Sequence, residues 1–144
     1  MPAEITRGLL DTNILILRHR IDPNDLPEEM AISAITLAEL SAGVHLVEGD
    51  RAEAVDERAR RSGVLQRTES EFDPIPFEAE AARAFGRISA AVVALGRTPR
   101  RRIADLMIAS TAAAARLPLY TTNPDDFAGL DGIIRVVPVR RPQA

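Results

Sequence analysis

The chain has 144 residues, 46% of them hydrophobic, which suits one domain spanning residues 1–144 with a substantial apolar core. Its formal net charge of −3 argues against a bulk nucleic-acid binder, and its lack of cysteine excludes disulfides and thiolate metal sites. No apolar run approaches the roughly 18 residues that a membrane span needs, so we expect a cytoplasmic protein without a membrane partner. All 18 residues of the Lys and Arg class are arginine, which excludes reactions that need a catalytic lysine.

The first half of the chain alternates short apolar segments with segments of helical periodicity. The segment "RGLL" (7–10) predicts a buried strand, and "MAISA" (30–34) predicts a second strand followed by a helix. The apolar face of that helix consists of Leu37, Leu40, Val44 and Val47. Residues 50–69 predict a charged helix with little apolar surface to bury.

The second half of the chain continues the alternation. Its strands are predicted at "FDPIPF" (72–77), "LYTT" (119–122) and "IIRVVPV" (133–139). Between them, residues 81–95 predict an amphipathic helix, and "IADLMIASTAAAARL" (103–117) predicts an almost entirely apolar helix. The segment "GRTPRRR" (96–102) predicts a loop, because a glycine and a proline flank its turn.

Strands that alternate with helices indicate an α/β domain. Its sheet is expected to be mainly parallel, to have four to five strands and to be covered by helices on both faces. Right-handed crossovers bring the C-terminal ends of such strands to one edge of the sheet, where the sites of open α/β folds form. Residues that directly follow strands are therefore the first candidates for a functional site.

Acidic residues are expected at four places along this edge, the last of which has two adjacent candidates. Asp11 directly follows the first strand, and Glu39 lies about one turn into the helix after the second. Asp105 opens the long apolar helix, while Asp125 and Asp126 follow the strand "LYTT". Carboxylates that converge repel one another unless a cation compensates their charge, and Mg²⁺ or Mn²⁺ with oxygen ligands supplies that compensation. We therefore predict that Asp11 ends a buried strand because it is a metal ligand.

The acids that follow Asp11 in the chain also have purely structural interpretations. Thr36 and Glu39 fit the S/T-x-x-E capping box, in which the glutamate only satisfies a backbone donor. Asp105 is placed to interact with the positive end of its helix. Asp125 and Asp126 follow an Asn-Pro turn signal, where acidic residues are common.

Four segments together resemble the motifs of PIN-domain ribonucleases, most closely the VapC toxins of bacterial toxin–antitoxin pairs. They are "LLDTNILI", "TLAELSAGV", "DLMIASTA" and "LYTTNPDDF", and the resemblance extends from residue 7 to about residue 137. It implies a three-layer α/β/α PIN-like domain. It also assigns catalytic, metal-binding roles to Asp11, Glu39 and Asp105.

The resemblance is less regular at the fourth acidic position. Many members of the family carry an acid where this chain has Asn123, and the acid before the phenylalanine corresponds to Asp126. The resemblance therefore implies that Asp126 joins the catalytic and metal-binding set directly or through water, with Asp125 as the weaker candidate. The supporting polar residues that it implies are Thr12, Asn13, Thr121 and Asn123.

The activity implied by the resemblance is hydrolysis of an RNA phosphodiester with one or two Mg²⁺ or Mn²⁺ ions. Structured transfer or ribosomal RNA is the expected substrate. The expected partners are a VapB-like antitoxin and a second copy of the chain, in a homodimer that forms a heterotetramer or larger complex with the antitoxin. We expect the antitoxin to cover exposed apolar side chains of the first helices, namely Leu15, Leu17, Leu46 and Val47.

The arginines Arg97, Arg100, Arg101 and Arg102 directly precede Asp105 and are the candidates for holding RNA phosphates. The alternative is that they form a solvated loop. Two other functions compete with the ribonuclease assignment. One is a PIN-like module that binds RNA or protein without cleaving, and the other is a receiver-like signalling domain, which requires a lysine that this chain lacks.

Overall fold

A parallel sheet of four short strands forms the centre of the computed structural model, which describes residues 4–143. The strands are β1 (Arg7–Leu10), β2 (Glu29–Ala31), β3 (Leu119–Thr121) and β4 (Val136–Pro138), in the spatial order β2-β1-β3-β4. All three strand pairings are parallel. The expected α/β class with a mainly parallel sheet is confirmed.

Five α-helices surround this sheet within residues 4–143. They are α1 (Thr12–Leu17), α2 (Ala34–His45), α3 (Ala52–Glu71), α4 (Ala79–Ala94) and α5 (Ile103–Ala115). None of them combines the length and the apolar character that a bilayer crossing requires.

Two hydrophobic clusters form the two sides of the core. Leu9 belongs to the cluster that contains Ile88 of α4 and Ile108 of α5, whereas Leu10 belongs to the cluster with Ile14 of α1 and Leu40 of α2. Successive side chains of a strand point to opposite faces, so β1 contributes to both clusters, and both leucines are fully buried. The result is a three-layer arrangement in which β1 occupies the protected centre.

The segment "FDPIPF" differs from its prediction as a strand. Only Ile75 pairs there, in an isolated parallel bridge with Ser33. Pro74 and Pro76 lack the backbone N–H that a ladder needs, and this limits the pairing to a single residue.

The start of α2 also differs from its prediction. Ser33 caps this helix, and its Oγ accepts a hydrogen bond of 3.1 Å from the backbone N–H of Thr36. The capping-box interpretation of Thr36 and Glu39 is therefore wrong, because the helix begins three residues earlier than that motif requires.

The apolar surface expected on the first helices is only partly exposed. Leu15 is buried and Leu17 half-buried, because α1 follows β1 directly and turns these leucines toward the core. Val47, after the end of α2, is also half-buried. The exposure expected of Leu46 is confirmed, at 72%, and Ile16 of α1, which was not predicted, is 45% exposed.

Candidate active site

Asp11 lies where β1 ends and α1 begins. Its backbone N–H donates to the carbonyl of Tyr120 at 2.9 Å and so continues the pairing of β1 with β3. Its carboxylate accepts hydrogen bonds from the backbone N–H of Thr12 (2.9 Å) and from Oγ1 of Thr121 (2.8 Å). The residue is only 4% exposed, and this burial raises the pKa of Asp11 although both hydrogen bonds oppose the shift.

Glu39 approaches Asp11 from α2. Its Oε1 accepts a hydrogen bond of 2.6 Å from Oγ1 of Thr12, the residue that follows Asp11. The same Thr12 hydroxyl lies 3.0 Å from Oγ1 of Thr36. Thr12 thereby links the end of β1 to α2 and holds the glutamate beside the aspartate.

Asp105 lies in the first turn of α5 and is half-buried, with its side chain 30% exposed. Burial and then the negative charges of Asp11, Asp126 and Glu39 raise the pKa of Asp105 to about 6, while Arg102 opposes the shift. Four of the predicted acids therefore lie close enough to repel one another. Asp125 is exposed and does not contribute to these shifts.

A groove of about 920 Å³ opens beside three of these acids, Asp11, Glu39 and Asp105. A second part of the lining belongs to α3, which contributes three arginines and one acid among the residues Glu57, Ala59, Arg60, Arg61, Gly63, Val64 and Arg67. The groove is thus acidic where it meets the sheet and basic along the charged helix.

The basic wall on α3 is the main feature of the site that sequence reasoning missed. Arg60 and Arg67 are seven residues apart, which places both on one side of a helix, and this spacing was the available signal. Arg61 donates to the carbonyl of Gly43 at 2.7 Å, which ties α3 to α2, and to Glu57 of α3 itself at 2.8 Å. Arg61 and Arg60 together lower the pKa of Glu57.

The four arginines predicted to bind RNA occupy different surroundings. Arg102 forms ion pairs with Asp126 and, at 3.8 Å, with Asp105. Arg97, Arg100 and Arg101 are exposed on the segment before α5 and are not among the residues that line the groove, as far as residues 4–143 show. The predicted loop ends in a 3₁₀ turn, Pro99–Arg102, that leads into α5.

The supporting polar residues are also divided. Thr12 and Thr121 hydrogen-bond to the acids, and Asn13 lines the groove. The backbone N–H of Asn123 donates to Oγ1 of Thr121 at 3.0 Å, but its side-chain oxygen accepts from Arg141 at 3.4 Å. The Asn123 side chain therefore turns toward Arg141 instead of the acids.

The donor set suits a hard divalent cation, because it consists of carboxylate oxygens whose mutual repulsion a cation relieves. Within residues 4–143, no three acidic or histidine side chains already stand in a metal-coordinating arrangement. Glu39 is engaged by Thr12, and Asp126 is engaged by Arg102. The acids are thus assembled at one place, and each of the four has a hydrogen-bond or ion-pair partner from the chain itself.

Residues 8–133 match the PIN domain family. The chain is 36% identical to the ribonuclease VapC5 of Mycobacterium tuberculosis, over 92% of this chain and 94% of that protein. Its fold is similar to a crystal structure of VapBC-5, a toxin–antitoxin family member from the same organism, with a TM-score of 0.74 and 36% identity over 91% of this chain and 99% of that one. It is also similar to FitAcB from Neisseria gonorrhoeae, with a TM-score of 0.63 and 27% identity over 89% and 94% of the two chains.

Proposed function

The chain belongs to the PIN-domain family, in its VapC group, and we propose that it is a metal-dependent endoribonuclease that acts as the toxin of a toxin–antitoxin pair. The observation that carries this proposal is the convergence of Asp11, Glu39 and Asp105 on one groove. These side chains come from the residue that follows β1, from α2 and from α5, and only the fold brings them together.

Asp11, Glu39 and Asp105 would hold Mg²⁺ or Mn²⁺, with Asp126 as the fourth acid. A bound divalent ion lowers the pKa of water and neutralises charge on the scissile phosphate. Thr121 and the backbone N–H of Thr12 fix the Asp11 carboxylate, and the Thr12 hydroxyl fixes Glu39. In the reaction, water adds to phosphorus and the bond to the 3′ oxygen breaks, which leaves a 5′-phosphate and a 3′-hydroxyl.

RNA approaches an acidic site only if positive charge flanks it. The α3 wall supplies that charge on one side of the groove through Arg67 and through Arg60, which also pairs with Glu57. The exposed residues Arg97, Arg100 and Arg101 supply it beside α5. Aromatic residues amount to 3% of the chain, so RNA shape and hydrogen bonds, rather than base stacking, select the substrate, which we infer to be structured transfer or ribosomal RNA.

The partner in this proposal is a small VapB-like antitoxin. Ile16 lines the groove and is exposed, and Leu46 is exposed at the end of α2. An apolar segment of the antitoxin laid over these side chains would bury them and cover the entrance to the acids. Expression of the chain alone should arrest growth, and co-expression of the adjacent small reading frame should restore it.

The direct test is cleavage of total RNA by the purified protein with Mn²⁺ or Mg²⁺, followed by sequencing of the new 5′ ends. Asp11→Asn should abolish cleavage, and full chelation should do the same. Asp126→Asn should reduce the rate strongly, whereas the exposed neighbour Asp125→Asn should cleave at a near-normal rate. Cleavage that survives chelation would refute the metal-dependent mechanism. A folded protein that binds RNA and never cleaves it would instead be a non-catalytic PIN-like module.

A further inference from the structure

Arg102 occupies a distinct position among the arginines before α5. It is the last residue of the 3₁₀ turn, and its guanidinium reaches two acids from separate parts of the chain. Asp105 is three residues further along, in α5, and Asp126 lies in the turn after β3. Among the ion pairs found within residues 4–143, only those of Arg102 involve the acids of the site.

The charge balance of the site gives this arginine a role. The carboxyl groups of Asp11, Glu39, Asp105 and Asp126 lie near one another, and within residues 4–143 Arg102 is the only cation that forms an ion pair with any of them. A planar guanidinium is suited to contacting more than one carboxylate. Arg102 is also 48% exposed, so its side chain is able to leave the acids for solvent without disturbing the core.

We propose that Arg102 is a built-in counter-ion that occupies the Asp105 and Asp126 side of the site and competes with the divalent ion for these two carboxylates. The proposal rests on the metal-dependent function proposed above. Asp126 becomes available to the ion only when Arg102 withdraws. Arg102 therefore weakens metal binding and stabilises the metal-free protein. Both effects come from the same ion pairs with Asp105 and Asp126.

The test compares Mn²⁺ binding to the parent chain, Arg102→Gln and Arg101→Gln by isothermal titration calorimetry at moderate ionic strength. Arg101→Gln is the matched control, because it removes the same charge from the adjacent residue, which forms no ion pair within residues 4–143. Arg102→Gln should bind Mn²⁺ about three- to tenfold more tightly than the parent, because a nearby positive charge is removed and Asp126 is released. The control should stay within about twofold.

A second measurement uses the thermal midpoint in excess chelator. Arg102→Gln should melt roughly 1–3 °C below the parent without metal, because the acids lose their cation. Added Mn²⁺ should raise the midpoint of Arg102→Gln by more than it raises that of the parent. A side chain that only supports the fold would lower stability in both conditions and would not tighten Mn²⁺ binding.

The outcomes separate the two proposals. If the parent binds Mn²⁺ and cleaves RNA but Arg102→Gln binds no more tightly than Arg101→Gln, the counter-ion proposal is wrong and the proposed function stands. If the parent neither binds Mn²⁺ nor cleaves RNA, both proposals are wrong. If Arg102→Gln binds more tightly and is also less stable in chelator, the counter-ion role is supported.

Discussion

Replacing Asp105 by asparagine should stabilise the metal-free protein at neutral pH while it abolishes RNA cleavage. The carboxylate is half-buried beside three other acids, and these surroundings raise the pKa of Asp105 from 3.8 to about 6. Asparagine has nearly the same shape and carries no charge. The substitution therefore removes repulsion and leaves the packing of α5 in place.

The size of the effect follows from the difference between the folded and unfolded pKa values. Because the folded pKa of Asp105 is raised, the stability contributed by its protonated form is complete below about pH 3.8 and is lost as the pH rises through about 6. The shift corresponds to at most about 3 kcal/mol. The side chain is 30% exposed and solvent screens its charge. We therefore expect Asp105→Asn to raise the free energy of unfolding by about 1–2 kcal/mol above pH 7.

The assay is chemical or thermal unfolding in excess chelator between pH 4 and pH 8. The difference in free energy of unfolding between Asp105→Asn and the parent should approach zero near pH 4 and reach a plateau above pH 7. At that plateau it corresponds to an increase of roughly 3–6 °C in the thermal midpoint. Asp125→Asn is the control, since it removes one charge from an exposed position and should change the midpoint little at any pH. A variant that is no more stable than the parent at pH 7.5 would refute the repulsion between these acids.

Two further predictions concern the neighbours of the site. Thr121→Val removes the hydroxyl that donates to buried Asp11 and should destabilise the protein by about 1–3 kcal/mol in urea unfolding at pH 7. Thr122→Val removes a buried hydroxyl without a hydrogen-bond partner in the described chain and should be neutral or stabilising, so equal losses in both variants would contradict this account. Replacing Arg100 and Arg101 by alanine should weaken RNA binding and flatten its salt dependence by roughly one unit of slope for each lost phosphate contact. An unchanged salt slope, measured by titration at several salt concentrations, would return both arginines to the solvated-loop interpretation.

The pattern of the chain was sufficient to place the elements that carry the acids. "RGLL" is apolar at every position that the strand buries, and Asp11 follows it directly, so the edge position of Asp11 could be predicted from local sequence. The same holds for Asp105 at the start of an almost wholly apolar helix. These predictions succeeded because strand and helix periodicity depend on neighbouring residues, and parallel strands end at a common edge.

Tertiary packing decided which polar side chains meet at that edge. Nothing in the local pattern shows that Arg102 pairs with Asp126 or that Thr12 donates to Glu39. The helical spacing of the α3 arginines predicts that they share one side of α3, but not that this side lines the same groove as the acids. Periodicity determines which face of an element is apolar, but not which distant side chain lies opposite a polar one. Those contacts join residues far apart in the chain, so they depend on how the helices pack on the sheet. The sequence by itself thus predicted which acids lie at this edge, and only the folded chain showed that Arg102 forms ion pairs with two of them, Asp105 and Asp126.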